Sequence, residues 1–123
     1  HLHGAADRVL VDAPCSGTGT WRRNPEARWR LTPRELRRLT ELQTYILGIA
    51  AQLLKPGGVL TYVTCSLLDE EGPDQIMDIL DRHPNWEMEQ PKLPLGTPRG
   101  PGIRLSPHQD GTDGFFIACI GKP

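Results

Sequence analysis

Cys15 and Cys65 carry the side chains best suited to covalent chemistry in this chain. A thiolate is a strong nucleophile, and it can add to an electrophilic carbon and later leave. Asp12 stands three residues before Cys15, in the run Asp12-Ala-Pro-Cys-Ser-Gly-Thr-Gly19. Cys65 lies in Thr64-Cys65-Ser66. Ordinary readings stand beside this one. Free cysteine often only packs, and Asp12 suits a turn as well as a reaction. Cys15 and Cys65 also suit a redox pair, if their strands are neighbours. Cys119, inside an apolar run, keeps the packing reading.

The three cysteines are widely spaced, with no Cys-x-x-Cys and no histidine pair at ligand spacing. That excludes a structural zinc site of the usual kind, and no metal is expected. An odd cysteine count also argues against a secreted disulfide framework, so a reducing cytoplasm fits better.

The elements around these residues decide whether they can meet. Arg8-Val-Leu-Val-Asp is a short apolar run that predicts a strand buried on both faces, as in a parallel sheet. A polar loop follows, with Gly17, Gly19 and Pro25. Ser16-Gly-Thr-Gly19 lacks the Gly-Lys-Ser/Thr ending of a phosphate loop and the third glycine of a dinucleotide fingerprint. Thr32-Pro33-Arg-Glu35 is a helix start with a capping box. Leu36, Leu39, Leu42, Ile46, Ile49 and Leu53 then recur at steps of three and four, which predicts one apolar helical face. Lys55-Pro-Gly-Gly58 ends that helix, and Val59 to Cys65 is a second buried strand.

A second helix is expected from Pro73 to about Arg82, with Ile76, Ile79 and Leu80 inward. Trp86 to Glu89 suits a short strand. Residues 91 to 114 form a Pro- and Gly-rich arm, and Gly114 to Gly121 is the last strand. Strand, helix, strand implies a parallel crossover unit. The last two strands are expected as an antiparallel hairpin at a sheet edge. Ligands in open α/β sheets bind beyond the carboxyl ends of the strands. Neighbouring strands lie roughly 4.8 Å apart, so Asp12, Cys15 and Cys65 would share one crevice.

The chain is one domain's length, 123 residues, with a net charge of −1. No run of about 18 apolar residues exists, so no membrane span is expected. Charge is unevenly spread. Residues 21 to 38 hold seven arginines against Glu26 and Glu35, a local balance of +5. That suits either an anion-facing patch or a solvated helix face. The opening residues read as the tail of a longer protein, and the half-sheet expected here leaves apolar surface to be covered by that remainder or by self-association.

Asp12-Ala-Pro-Cys-Ser-Gly-Thr-Gly19 resembles the fourth motif of the NOL/NOP/Sun family of RNA cytosine-5 methyltransferases. Thr64-Cys65-Ser66, after a Gly-Gly-led strand, resembles that family's sixth motif. Arg22-Arg23-Asn-Pro, Arg28-Trp29, Gln43, Lys55-Pro-Gly-Gly58 and Thr112-Asp-Gly-Phe-Phe116 are also similar, so the likeness covers nearly the whole chain. One small departure is Gly72, where relatives commonly carry Asn.

The resemblance implies an α/β fold, the C-terminal half of a Rossmann-like class I methyltransferase, with 1–123 a partial catalytic domain. It implies methyl transfer from S-adenosylmethionine to carbon 5 of cytosine in RNA, ribosomal RNA first and transfer RNA second. Cys65 would be the nucleophile and Cys15 would promote its release. Asp12 would steady the cytosine ring nitrogen or the cofactor's methionine end, with Pro14 beside it. Arg22, Arg23, Arg28 and Trp29 would touch RNA, on a base exposed as such chemistry requires. Trp21 suits stacking or inward packing. The family's first three motifs, which hold most of the cofactor, do not occur, so weak or no binding of S-adenosylmethionine is expected of the chain alone. Two rivals remain: a DNA cytosine-5 methyltransferase, whose nucleophile would be Cys15, and a non-catalytic RNA-binding module.

Overall fold

A computed structural model describes residues 3–21, 25–26, 31–89, 91 and 93–123. Strand β1 (Ala6–Asp12) leads through the Cys15 loop to helix α1 (Pro33–Leu53). Strand β2 (Leu54–Thr64) follows, then helix α2 (Pro73–Arg82) and strand β3 (Glu87–Glu89). A hairpin of β4 (Thr97–Arg99) and β5 (Gly102–Leu105), one helical turn α3 (Pro107–Asp110) and strand β6 (Phe115–Gly121) complete the chain.

The helix starts obey local rules. The Thr32 hydroxyl accepts from the Glu35 amide at 3.1 Å, and Pro33 takes the first helical position. Such a cap contributes about 1 kcal/mol. In α2, Pro73 again opens the helix, and Ile76 and Ile79 are buried as expected.

The sheet has the order β1-β2-β6-β5-β4, with β3 also paired to β6. β1 and β2 are parallel, with Asp12 opposite Val63. β6 runs antiparallel to β2, β3 and β5. The antiparallel sense expected of the last strands is present. Their position differs, because β6 lies inside the sheet, between β2 and the β3 and β5 strands. The apolar run Phe-Phe-Ile-Ala-Cys-Ile is what a central strand needs.

Leu60 and Tyr62 on β2 lie directly opposite Ile120 and Ala118 on β6, and these four and Phe116 are buried on one face. Val11, Leu47, Ala50, Ala51, Leu54, Ile76 and Ile79 complete this core. Each large side chain there contributes roughly 1.5–3 kcal/mol by leaving water.

Two expectations shift. The inward face of α1 is Leu39, Gln43, Leu47, Ala50 and Ala51, whereas Ile49 is 43% exposed. α1 carries apolar residues around much of its circumference, so packing against β2 and α2 chose the face. β1 is also less covered than predicted. Only Val11 is buried in it, and Leu10 is 70% exposed. Among the described residues β1 is one edge of the sheet, and Leu10, Ile46, Ile49 and Leu53 line an open apolar groove beside it.

Candidate active site

The carboxyl ends of β1 and β2 bring Cys15 and Cys65 together. The Cys15 thiol points its hydrogen at the Cys65 sulfur, with the Sγ atoms 3.9 Å apart. A disulfide needs about 2.05 Å, so these are two free thiols in contact. Both are half-buried. Burial pushes the Cys15 thiol up to about 12. The Gly17 and Cys65 backbones oppose that rise, and the charges of Cys65 and Glu71 add to it.

Asp12 ends β1 at the same edge and is exposed, as is Pro14. No side chain among the described residues forms an ion pair or hydrogen bond to Asp12. Its carboxylate is therefore open to a ligand. Ala13, between them, is buried, and its amide donates to the Val63 carbonyl at 2.9 Å. That bond carries the β1–β2 ladder into the loop and aims it toward Cys65.

Backbone contacts hold the loop over the sheet edge. The Gly19 amide donates to the Cys65 carbonyl at 3.0 Å, and the Gly114 amide donates to the Gly19 carbonyl at 2.6 Å. The Thr18 hydroxyl accepts from the Leu67 amide at 2.9 Å. Ser16-Gly-Thr-Gly19 thus lets backbone approach backbone, joining the first loop to the start of β6. Gly17 has φ 74° and turns the chain.

Below the thiols lies a buried polar cluster that the sequence reading did not assign. Glu71, fully buried, accepts from the Ser16 amide at 2.8 Å and from the Ser16 hydroxyl at 2.5 Å. It also accepts from the Ser66 hydroxyl at 2.6 Å and from Gln43 Nε2 at 3.0 Å. Gln43 Nε2 reaches the Pro14 carbonyl too, at 2.8 Å. The Tyr62 hydroxyl donates to the Glu71 carbonyl at 2.7 Å. Burial first, then the charges of Glu71 and Cys15, raise the Tyr62 hydroxyl above its usual value. One signal pointed here: Gln43 sits between Leu39 and Leu47 on the buried face of α1. A buried amide requires partners.

Arg22, Arg23, Arg28 and Trp29 lie outside the described residues. Trp21 is half-buried, and its indole N–H is out of contact with water and has no partner among the described residues. That favours inward packing over stacking. Gly72 lies against the Phe116 ring, where an added Cβ would come within 2.8 Å. A side chain at this departure from the family pattern would displace the ring. Among the described residues no cluster could hold a metal ion, and no helix is long and apolar enough to cross a membrane.

Known proteins are similar to this chain in sequence and in fold. Ribosomal RNA small subunit methyltransferase B of Yersinia pseudotuberculosis (serotype O:1b) is 44% identical over 116 residues, 94% of this chain and 26% of the relative. Its counterpart in Yersinia pestis bv. Antiqua (strain Angola) matches to the same extent. The chain therefore spans about a quarter of the length of these relatives. The crystal structure of PH0851 superimposes with a TM-score of 0.90 at 40% identity, covering 98% of this chain and 27% of that one. NSun6 from Pyrococcus horikoshii, solved with SFG, gives 0.80 at 29% identity, covering 92% and 29%. The match to the sequence model of one family, described as 16S rRNA methyltransferase RsmB/F, runs over residues 2–121. With the paired thiols and the sheet edge that holds them, this match establishes that the chain belongs to the RsmB/F methyltransferase family.

Proposed function

We propose that this chain is the catalytic portion of an enzyme that methylates carbon 5 of cytosine in RNA, with ribosomal RNA the substrate. The observation that carries the reading is the contact of two free thiols at the carboxyl edge of a parallel strand pair. The relatives named as ribosomal RNA methyltransferases support the substrate class.

Carbon 5 of cytosine is a poor nucleophile. In the proposed reaction the Cys65 sulfur adds to carbon 6, and the ring electrons shift so that carbon 5 becomes enamine-like. S-adenosylmethionine, when bound, supplies the methyl group that carbon 5 accepts. Cys15 then takes the carbon 5 proton, and the electron pair freed from that bond expels the Cys65 sulfur from carbon 6. The two thiols suit successive roles. At rest, burial and the nearby charges keep Cys15 protonated. Cys15 therefore passes its own proton to solvent before it takes the carbon 5 proton. Burial, the larger cause, opposes that loss, and a Cys65 sulfur bonded to carbon 6, which carries no charge, removes a smaller one.

Asp12 and Pro14 would meet the cofactor. An exposed carboxylate at a strand end fits the ammonium group of the methionine end. The remainder of the cofactor site would come from the rest of a protein like the longer relatives, against the open β1 edge.

The test uses the whole protein with RNA. Cys65→Ala should abolish methylation, and Cys15→Ala should accumulate a covalent protein–RNA adduct that survives denaturing electrophoresis. Normal turnover by Cys15→Ala without adduct would refute the role given to Cys15. An adduct formed through Cys15 would instead support a DNA-type mechanism.

A further inference from the structure

Glu71 is the unusual residue beneath the thiols. It is completely buried, and no salt bridge among the described residues involves it. A buried carboxylate without a cation is costly unless hydrogen bonds replace its hydration. Here four do so. One oxygen accepts the Ser16 amide and Gln43 Nε2, and the other accepts the Ser16 and Ser66 hydroxyls.

The partners explain what the arrangement does. Ser16 follows Cys15 directly, and Ser66 follows Cys65 directly. Ser16 and Ser66 are 50 residues apart in the chain, on loops from different strands. One carboxylate grips both, while Gln43 ties the same oxygen to α1 and to the Pro14 carbonyl. Charge-assisted hydrogen bonds to an anion are short and directional. Tyr62, near the carboxyl end of β2, fixes the Glu71 backbone in turn.

We propose that Glu71 is a positioning residue whose single carboxylate fastens the residues following Cys15 and Cys65 and so sets the separation of the two thiols. Its consequence for catalysis rests on the two-thiol reading above. The clamp itself is testable without that chemistry.

The probe is disulfide formation between Cys15 and Cys65 in the whole protein. Diamide, an azo oxidant, takes one hydrogen from each thiol and becomes a hydrazine as the S–S bond forms. The rate is followed by mass mapping of the Cys15–Cys65 peptide pair. Glu71→Ala should slow bond formation by about ten-fold, because the reacting atoms lose their fixed approach. Glu71→Gln should be no slower than the parent, since its oxygen can accept the two N–H groups and its amide can donate to the two hydroxyls. Loss of charge alone would act the other way, because the Glu71 charge helps hold Cys15 protonated. Glu70→Gln, at the exposed neighbour, should stay within about two-fold of the parent.

If Glu71→Ala does not fold by circular dichroism, Ser66→Ala carries the same test. It removes the one bond from the carboxylate to the Cys65 loop. In RNA methylation, Glu71→Ala should lower kcat with little change in KM, and Glu71→Gln should restore it. Disulfide formation at the parent rate in both Glu71→Ala and Ser66→Ala would overturn the proposal. A slowed disulfide in Glu71→Ala or Ser66→Ala, beside a parent protein that methylates no RNA, would uphold the clamp and refute the proposed function.

Discussion

Gly19 rests directly on Gly114. A Cβ placed on Gly19 would sit 2.0 Å from the Gly114 carbonyl oxygen, and the Gly114 amide already donates to the Gly19 carbonyl at 2.6 Å. The contact is backbone on backbone, so no flexible side chain can yield. Gly19→Ala should therefore destabilise the fold by about 2–3 kcal/mol, the upper range for overpacking. Gly48 offers the opposite case. It lies exposed within α1, and an added Cβ would meet nothing. Gly48→Ala should stabilise by about 0.5–1 kcal/mol. Urea denaturation of both variants checks the sign and the size.

The Cys15 thiol gives a pH dependence. Burial pushes it up to about 12 in the folded chain, from an ordinary value of 9.0. The folded state holds this proton more tightly, so the contribution to stability is present below pH 9.0 and fades as pH rises toward about 12. Tyr62 shifts in the same direction, so the alkaline decline has more than one source. Thermal melts from pH 8 upward should fall less steeply for Cys15→Ala than for the parent. Equal slopes would contradict the burial argument.

Cofactor binding should depend on more than these 123 residues. Asp12 and Pro14 are exposed on the open β1 edge, and ligand sites usually enclose most of the ligand surface. Calorimetry of the chain alone with S-adenosylmethionine should detect weak binding or none. Micromolar affinity would show that these residues suffice.

The β4–β5 hairpin is anchored through two arginines on one carboxylate. Arg99 bonds both oxygens of Asp69, at 3.0 and 2.6 Å. Arg104 bonds Asp69 at 2.8 Å and the Leu67 carbonyl at 2.8 Å, two residues past Cys65. The Arg99 hydrogen bonds, and then its charge and that of Arg104, hold the Asp69 carboxyl below its ordinary value. Arg99 is 47% exposed and Arg104 is 22% exposed. Arg104→Ala should cost about 1–3 kcal/mol, because it strands a carbonyl in the loop after Cys65. Arg99→Ala should change stability little. Chemical denaturation distinguishes them.

The local features of the fold were legible in the sequence. Thr32, Pro33 and Glu35 marked the start of α1, and Ile76 and Ile79 marked the inner face of α2, because each depends on near neighbours in the chain. The meeting of Cys15 and Cys65 was legible too, since both end parallel strands. Choices made by distant partners were not. Leu47 faces inward and Ile49 outward because β2 and α2 select among several apolar stripes on α1. β6 entered the sheet interior through pairing with β2, a contact about 55 residues along the chain that no local pattern encodes. Glu71 was hidden among three consecutive acids, of which it alone is buried.

The register of β2 and β6 also gives the domain two poles. Thr64 and Phe116 pair near the thiols, whereas Val59 and Gly121 pair at the far end. There the Lys122 amide donates to the Gly58 carbonyl at 3.0 Å, and Lys122 Nζ reaches the Leu54 carbonyl at 2.8 Å. Five residue steps of strand separate the poles, roughly 17 Å. A fluorophore or affinity handle joined after Pro123 would therefore emerge on the side away from the cysteines. It would stand clear of the thiol pair.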